Sequence, residues 1–398
     1  MNPLVIIIGG GLGGLNLAQG LRKAGINFHV FERDVHANFR FTGYRIRVDD
    51  NGAAAIKSNV TDELWDRFQK SSAIVEMGMS VMNALDGQTI LRLEGKEDLP
   101  IQYENDPYSA DRKVTRDILL SGIQEHVSWG KEFKAYKITP TGVCVEFADG
   151  SFAEGTILVG ADGWNSGVRK QRLPNHQVLD SSCRAIYGKT PLTENLISTV
   201  PEDSLHWMTF FVDQTNEHPV TLLLEPTRFK ENEFRSDLPK AYMYWVLASR
   251  KTYLPIEDDN VLLNLTAPDA AELSLQMAKE WHPSMKLVLD LQDRTQTSAV
   301  RIATINPKIP AWEPSCVTLL GDSIHVMPPT AGVGANTALR DGAVLATLFA
   351  KEGVSVDVVG KYEQAMRKYA QEMVESSYGP GKKLVGLPDW EECSPITI

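Results

Sequence analysis

Leu4 to Gly10, LVIIIGG, is an unbroken apolar run closed by glycine. A central strand of a parallel sheet, buried on both faces, has this pattern. Leu15, Ala18 and Leu21 then recur at the spacing of one helical stripe. FHVFER (28–33) reads as a second strand. Together they predict a βαβ unit of about 30 residues. Residues 53–77 carry a mostly helical pattern. The stretch 138–163 reads as hairpin strands with a turn at Asp149-Gly150, then a buried strand ending at Ala161.

Between about 180 and 265 the texture changes. CRAIYG, WMTFFVD, VTLLLEP and AYMYWVLAS are short runs rich in aromatic and β-branched residues, separated by prolines. They predict a mostly antiparallel sheet inserted into an α/β framework. Alternation splits WMTFFVD into a Met208/Phe210/Val212 face and a Trp207/Thr209/Phe211 face. It does not say which face lines a pocket. A helix is expected over 265–283. VTLLGD then reads as a strand ending at Asp322, followed by a helix from Gly334 to Lys351. A last helix is expected over 356–378, closed by Gly379-Pro380-Gly381.

Composition narrows the classes. The 40 basic and 51 acidic residues leave a net charge of −11, which disfavours nucleic acid or an anionic membrane as partner. Cys144, Cys183, Cys316 and Cys393 form no CxxC pair, so isolated thiols in a reducing compartment are expected. No secretory signal is visible, and no apolar run approaches the roughly 18 residues of a membrane span. A cytoplasmic protein, monomer or homodimer, is the expectation.

The opening GGGLGG gives Gly9, Gly11 and Gly14 in GxGxxG order, after a buried strand and at a helix start. That context suits a pyrophosphate: Gly9 permits the turn, Gly11 the close approach and Gly14 the helix–strand packing. The helix N-terminus offers unpaired N–H groups. Glu32, at the end of the second strand, can accept both ribose hydroxyls of an adenosine. These residues leave NAD and FAD both open. Arg116, at the head of an apolar helical stripe, can reach a diphosphate or pair with a surface acid. Asp162-Gly163 follows a buried strand, where ligands collect in α/β sheets. Asp322 can bind a ribityl hydroxyl, and the loop Gly332–Asn336 presents N–H groups at another helix start.

In order and spacing these motifs resemble the single-component, aromatic-hydroxylase-type flavoprotein monooxygenases, of the para-hydroxybenzoate-hydroxylase-like group. The likeness covers nearly the whole chain. It implies an α/β fold: a Rossmann-like FAD-binding domain, an inserted, mostly antiparallel substrate sheet and a long C-terminal helix. It implies FAD-binding segments 1–75, 113–178 and 301–355, substrate segments 76–112 and 179–300, and a C-terminal helix and tail over 356–398. FAD is then expected across Gly9, Gly11, Leu12, Gly13, Gly14, Glu32, Arg33, Arg116, Asp162, Asp322, Pro329, Gly332, Gly334, Ala335 and Asn336. Asp162-Gly163 would also serve a transient NADPH or NADH. FTGYRIRVDDNG matches the stretch beside the flavin ring, which places Gly43 and Arg45 there. Arginine at 45 and 47 departs from the general pattern, as does GVGAN from the more frequent GQGAN. The shorter members, without a thioredoxin-like C-terminal domain, are the nearer match.

The resemblance implies an NAD(P)H-dependent hydroxylase that uses O2 through a flavin C4a-hydroperoxide. The expected substrate is hydrophobic, aromatic or polycyclic and of secondary-metabolite type. Epoxidation, Baeyer–Villiger oxygenation and flavin-dependent reduction are the alternatives. Arg184 and Tyr187 are the candidate catalytic residues, with His206, Phe210 and Tyr244 as substrate contacts. A halogenase would normally carry a WxWxIP stretch, which the chain lacks.

Overall fold

The computed structural model describes residues 4–37, 44–100 and 102–396. Leu4–Ile8 lies at the centre of a five-stranded parallel sheet. Across the sheet the order is Val317–Leu319, Ile157–Gly160, Leu4–Ile8, Asn27–Glu32 and Val127–Trp129. Val5, Ile6 and Ile7 are fully buried. Each contributes about 1.5–3 kcal/mol by leaving water, which is why the run is apolar at every position rather than alternating.

The helix Leu12–Lys23 is covered on nearly all sides, between this sheet and the helix Gly334–Glu352. Its two buried amides donate to distant carbonyls: Asn16 to Leu339 O at 2.8 Å and Gln19 to Leu119 O at 2.7 Å. The helices touch through glycine. A Cβ on Gly342 would lie 2.8 Å from the Gly13 carbonyl oxygen.

The inserted sheet has seven strands in the order Ser298–Thr304, Leu179–Pro191, Tyr242–Arg250, Val220–Thr227, Met208–Asp213, Gly78–Asn83 and Thr89–Glu94. The eighth, Ser394–Pro395, pairs with Leu179–Asp180. All neighbours are antiparallel except Met208–Asp213 and Gly78–Asn83. One face packs Ile186, Phe211, Leu222, Trp245 and Leu247 onto the helices Ala267–Met277 and Pro283–Asp290. The other carries Tyr187, Leu223, Tyr244 and Val246 towards the dinucleotide domain. Between that face and the dinucleotide domain runs a two-stranded ribbon, Arg45–Val48 with Tyr108–Asp111.

Three expected boundaries move. The strand over 317–322 ends at Leu319, and Asp322 opens a short helix, Asp322–His325. Residues 53–77 divide into Asp50–Asn59 and Asp62–Lys70, each capped by a side chain (Asp49, Thr61). The C-terminal helix runs Val356–Val385 and passes through Pro380. Gly386, left-handed at φ 64°, ends it instead. The Thr330 hydroxyl donates to the Ser377 carbonyl beside the proline, and Leu387 folds back to within 2.2 Å of where a Cβ on Gly381 would stand. All four cysteines are free thiols. Among the described residues no helix is long and apolar enough to cross a membrane.

Candidate functional site

Strand order sets the geometry. The four strand exits that carry the candidate residues lie side by side on one edge of the parallel sheet, in the order Asp322, Asp162, Gly9, Glu32. Neighbouring strands are about 4.8 Å apart, so this row spans roughly 15 Å along the carboxyl edge, where α/β sheets bind ligands.

At Gly9 the backbone is left-handed, φ 112°, and a Cβ would sit 2.2 Å from the Ala161 carbonyl oxygen. Gly13 and Gly14 are also closed, 2.8 Å from Ala338 O and 2.3 Å from Gly9 O. Gly11 differs: a Cβ there would meet no atom within 4 Å. The helix that begins at Leu12 has no side-chain cap and no acid in its first turn. Its first N–H groups therefore have neither intrahelical partner nor protein anion. Glu32 is buried, and its two carboxylate oxygens accept from Gly10 N at 2.6 Å and Asp34 N at 3.0 Å. Arg116, also buried, donates to Gly10 O at 2.8 Å and Ala37 O at 2.6 Å. The arginine and the acid thus meet at Gly10, across the loop. Arg33 follows Glu32 with its side chain exposed, as alternation dictates.

Asp162 turns inward to cap its own helix, Gly167–Arg172. It accepts from Ser166 Oγ at 2.5 Å and Gly167 N at 2.8 Å, and burial raises its pKa. Asp322 is exposed to solvent, although the protein around it is dense. Burial raises its pKa, against the opposing charges of His325 and Arg112. Beneath it Asp341 is fully buried and accepts from Gly321 N, His325 Nε2 and Tyr369 OH at 2.6–2.7 Å. That group fixes the left-handed turn at Gly321.

Gly332 is left-handed and Gly334 opens the second long helix, again with no side-chain cap and no acid in its first turn. Pro329 is exposed at the start of the short turn before it, and Ala335 is half-buried. The Asn336 side chain is committed elsewhere. Its Nδ2 donates to Arg47 O and Gly332 O, both at 3.0 Å, and its Oδ1 accepts from Asp49 N at 3.1 Å. Asn336 therefore braces the loop, and only its backbone N–H is left for a ligand. Gly43 lies outside the described residues.

On the sheet side the structure separates the five candidates. Tyr187 and Tyr244 share the inner face, with ring centroids 6.2 Å apart, and Tyr44 packs against Tyr187 with tilted rings 5.1 Å apart. Phe210 pairs with Leu223, which pairs with Val246, so Met208/Phe210/Val212 is the inward face. Burial raises the pKa of both Tyr187 and Tyr244. Arg184 points the other way. Its guanidinium is held by Asp180 and Asp259 at 2.5–2.9 Å on the helix-covered face. It belongs to a structural ion cluster with Arg301, not to the cleft. His206 also falls outside: it precedes the strand, is half-buried and pairs with Glu76 at 2.7 Å. The sequence reading missed Glu225, which is bound by both Arg45 and Arg47 between ribbon and sheet. An acid inside the apolar run VTLLLEP was the available signal.

A parallel sheet that aligns two uncapped, glycine-fronted helix N-termini with two acids, under an antiparallel lid sheet, defines a dinucleotide-binding flavoprotein architecture. Residues 124–377 match the family model described as FAD binding domain, and residues 7–70 match the NAD(P)-binding Rossmann-like domain. The chain belongs to the FAD binding domain family.

It is 38% identical to a dual O-methyltransferase/FAD-dependent monooxygenase of Cercospora beticola, over 99% of this chain and 48% of that protein. The chain thus spans about half the length of that relative. It is 28% identical to an FAD-dependent monooxygenase of Trichoderma harzianum, over 98% of this chain and 94% of the other. A solved Photorhabdus luminescens structure described as an FAD-containing monooxygenase superposes with a TM-score of 0.80 at 29% identity, covering 96% of this chain and 98% of that one. The sequence expectation of an FAD fold of the monooxygenase type agrees with these findings.

Proposed function

We propose that the chain is an NAD(P)H-dependent FAD monooxygenase acting on a hydrophobic, aromatic or polycyclic small molecule. The observation that carries the cofactor is the pair of acid-free helix N-termini at Leu12 and Gly334 on one sheet edge, with Gly11 open between its closed glycine neighbours. The residues fit FAD along its length. Gly11 and Arg116 would meet the pyrophosphate, Glu32 the adenosine ribose, Asp322 the ribityl chain and the Gly334–Asn336 N–H groups the ring. When bound, FAD supplies hydride uptake and O2 activation. The balance is substrate, O2, NAD(P)H and a proton in, and oxygenated substrate, NAD(P)+ and water out.

The protein's own part is binding and exclusion of water. Tyr187, Tyr244 and Phe210 form an aromatic wall opposite the ribbon. The oxygenase reading is favoured by the named relatives, several of which are FAD-dependent monooxygenases. The test is purification with FAD, anaerobic bleaching by NADPH or NADH, and oxygen uptake with candidate polycyclic phenols. A product heavier by one oxygen atom supports the reading. Bleaching and substrate hydrogenation without oxygen uptake would replace it with a reductase.

A further inference from the structure

Arg45 and Arg47 stand two apart on one strand, so both side chains leave the same face of the ribbon. Both reach the same acid, Glu225, on the inner face of the sheet. The three side chains are only 8–12% exposed. Two guanidinium groups therefore share one carboxylate. Lys189 lies close by but is matched by Asp111 at 2.9 Å. Among the described residues the cluster thus carries one positive charge in excess, in a place where unmatched charge is costly.

Its hydrogen bonding is also incomplete. Among the described residues, Arg47 Nε and Glu225 Oε2 have no partner although both are buried. Both arginines converge on Glu225 Oε1 alone, so the pairing does not use the second carboxylate oxygen. The cluster borders both halves of the cleft. Arg47 is held through its carbonyl by Asn336 of the Gly332–Asn336 loop, and Glu225 is the register partner of Tyr244.

We propose that Arg45 and Arg47 hold the ionised oxygen of a phenolate or enolate on the substrate ring, while Glu225 Oε2 accepts a hydrogen bond from a neighbouring ring hydroxyl. One excess positive charge matches a monoanion, one unpaired acceptor matches one hydroxyl, and the aromatic wall matches a fused ring. This assignment rests on the oxygenase reading above and names its substrate class: polyhydroxylated fused aromatics that ionise at one hydroxyl.

The test uses the FAD-loaded protein and two probe pairs, 1,8-dihydroxynaphthalene and 2,3-dihydroxynaphthalene, each against its dimethyl ether. Binding is read from the perturbed flavin absorbance, without turnover. At least one diol should bind about tenfold or more tighter than its ether. The bound diol should show its phenolate band about one pH unit below the free compound. Arg45→Met and Arg47→Met should each cut the preference to about twofold or less and remove the band shift. The triple variant Arg45→Met/Arg47→Met/Glu225→Gln leaves no charge of the cluster buried without a partner and covers the case in which a single variant misfolds. Equal binding of diol and ether by the wild type overturns the assignment, as does an unchanged preference in variants that keep FAD. Loss of FAD from all three variants also overturns it, because the cluster then serves the fold. A protein that neither holds FAD nor is bleached by NAD(P)H sinks the oxygenase reading itself, a distinguishable failure.

Discussion

The side chain of Asn336 donates to the backbone carbonyl of Arg47 at 3.0 Å, joining two segments 289 residues apart. One is the glycine loop at the second helix N-terminus. The other is the ribbon strand whose arginines reach the substrate sheet. Oδ1 of the same amide accepts from Asp49 N, and a Cβ on Gly52 would stand 2.1 Å from it. The amide is thus enclosed and uses both its donor and acceptor ends.

Asn336→Ala should therefore loosen the loop rather than remove a ligand contact. Three hydrogen bonds go, and the partly buried groups they served are left unmatched, at a cost of about 2 kcal/mol. The apoprotein should unfold at lower denaturant concentration, and FAD affinity should fall by about tenfold. Denaturation of the apo form and FAD titration by flavin fluorescence check both. Unchanged apo stability would remove the bracing role.

The glycines of the first loop predict opposite outcomes. Gly14→Ala places a methyl 2.3 Å from the Gly9 carbonyl oxygen, backbone against backbone. It should destabilise the apoprotein by about 2 kcal/mol or more. Gly11→Ala meets no protein atom. Its apo stability should stay within about 1 kcal/mol of wild type, the scale of exchanging glycine for alanine at an N-cap. FAD binding should nonetheless weaken by about tenfold or more. Equal FAD affinity of Gly11→Ala and wild type would argue against pyrophosphate approach at this glycine.

The dinucleotide half was legible because its signals are local. LVIIIGG, GGGLGG and Glu32 lie within about 30 residues of one another, the length of a βαβ unit. The sheet half was legible as strands but not as faces. Alternation identifies the inner side only when one side is wet. Here helices cover one face and the ribbon with the dinucleotide domain the other, so Phe210 and Phe211 are both buried. That is why Arg184 was placed in the cleft. The Gly379-Pro380-Gly381 stop failed for a similar reason: contacts from Thr330 and Leu387, distant or beyond the break, stabilise a turn that local propensity disfavours. Arg47–Glu225 and Asn336–Arg47 leave no periodic trace at all.

Arg184 has a structural prediction in place of a catalytic one. Arg184→Met leaves Asp180 and Asp259 with Arg301 as their remaining cation. The loss should be about 2–3 kcal/mol, below the cost at a fully buried pair because Asp259 is 24% exposed. The flavin spectrum and the coupling of NAD(P)H consumption to product should stay as in wild type. Tyr187→Phe should do the reverse, sparing stability to within about 1 kcal/mol while changing coupling. Chemical denaturation beside stoichiometric product analysis separates the two. A coupling defect in Arg184→Met at normal FAD content would return that residue to the site.

His325 supplies a pH dependence. Burial disfavours its cation, but the Asp341 carboxylate 2.6 Å away, together with Asp322, more than offsets this and raises the pKa above the ordinary 6.5. A histidine whose pKa is raised on folding contributes stability that is complete below the unfolded pKa and is lost as pH rises through the folded one. The wild type should therefore lose stability from near neutral pH into the alkaline range. His325→Gln, which can still donate to Asp341 but cannot titrate, should lack that segment. The difference between the two unfolding free energies, measured from about pH 6 to pH 9, should shrink as pH rises. A difference that is flat across the range would show that His325 is not protonated in the folded protein. A difference that grows with pH would show that burial, not Asp341, dominates its charge state.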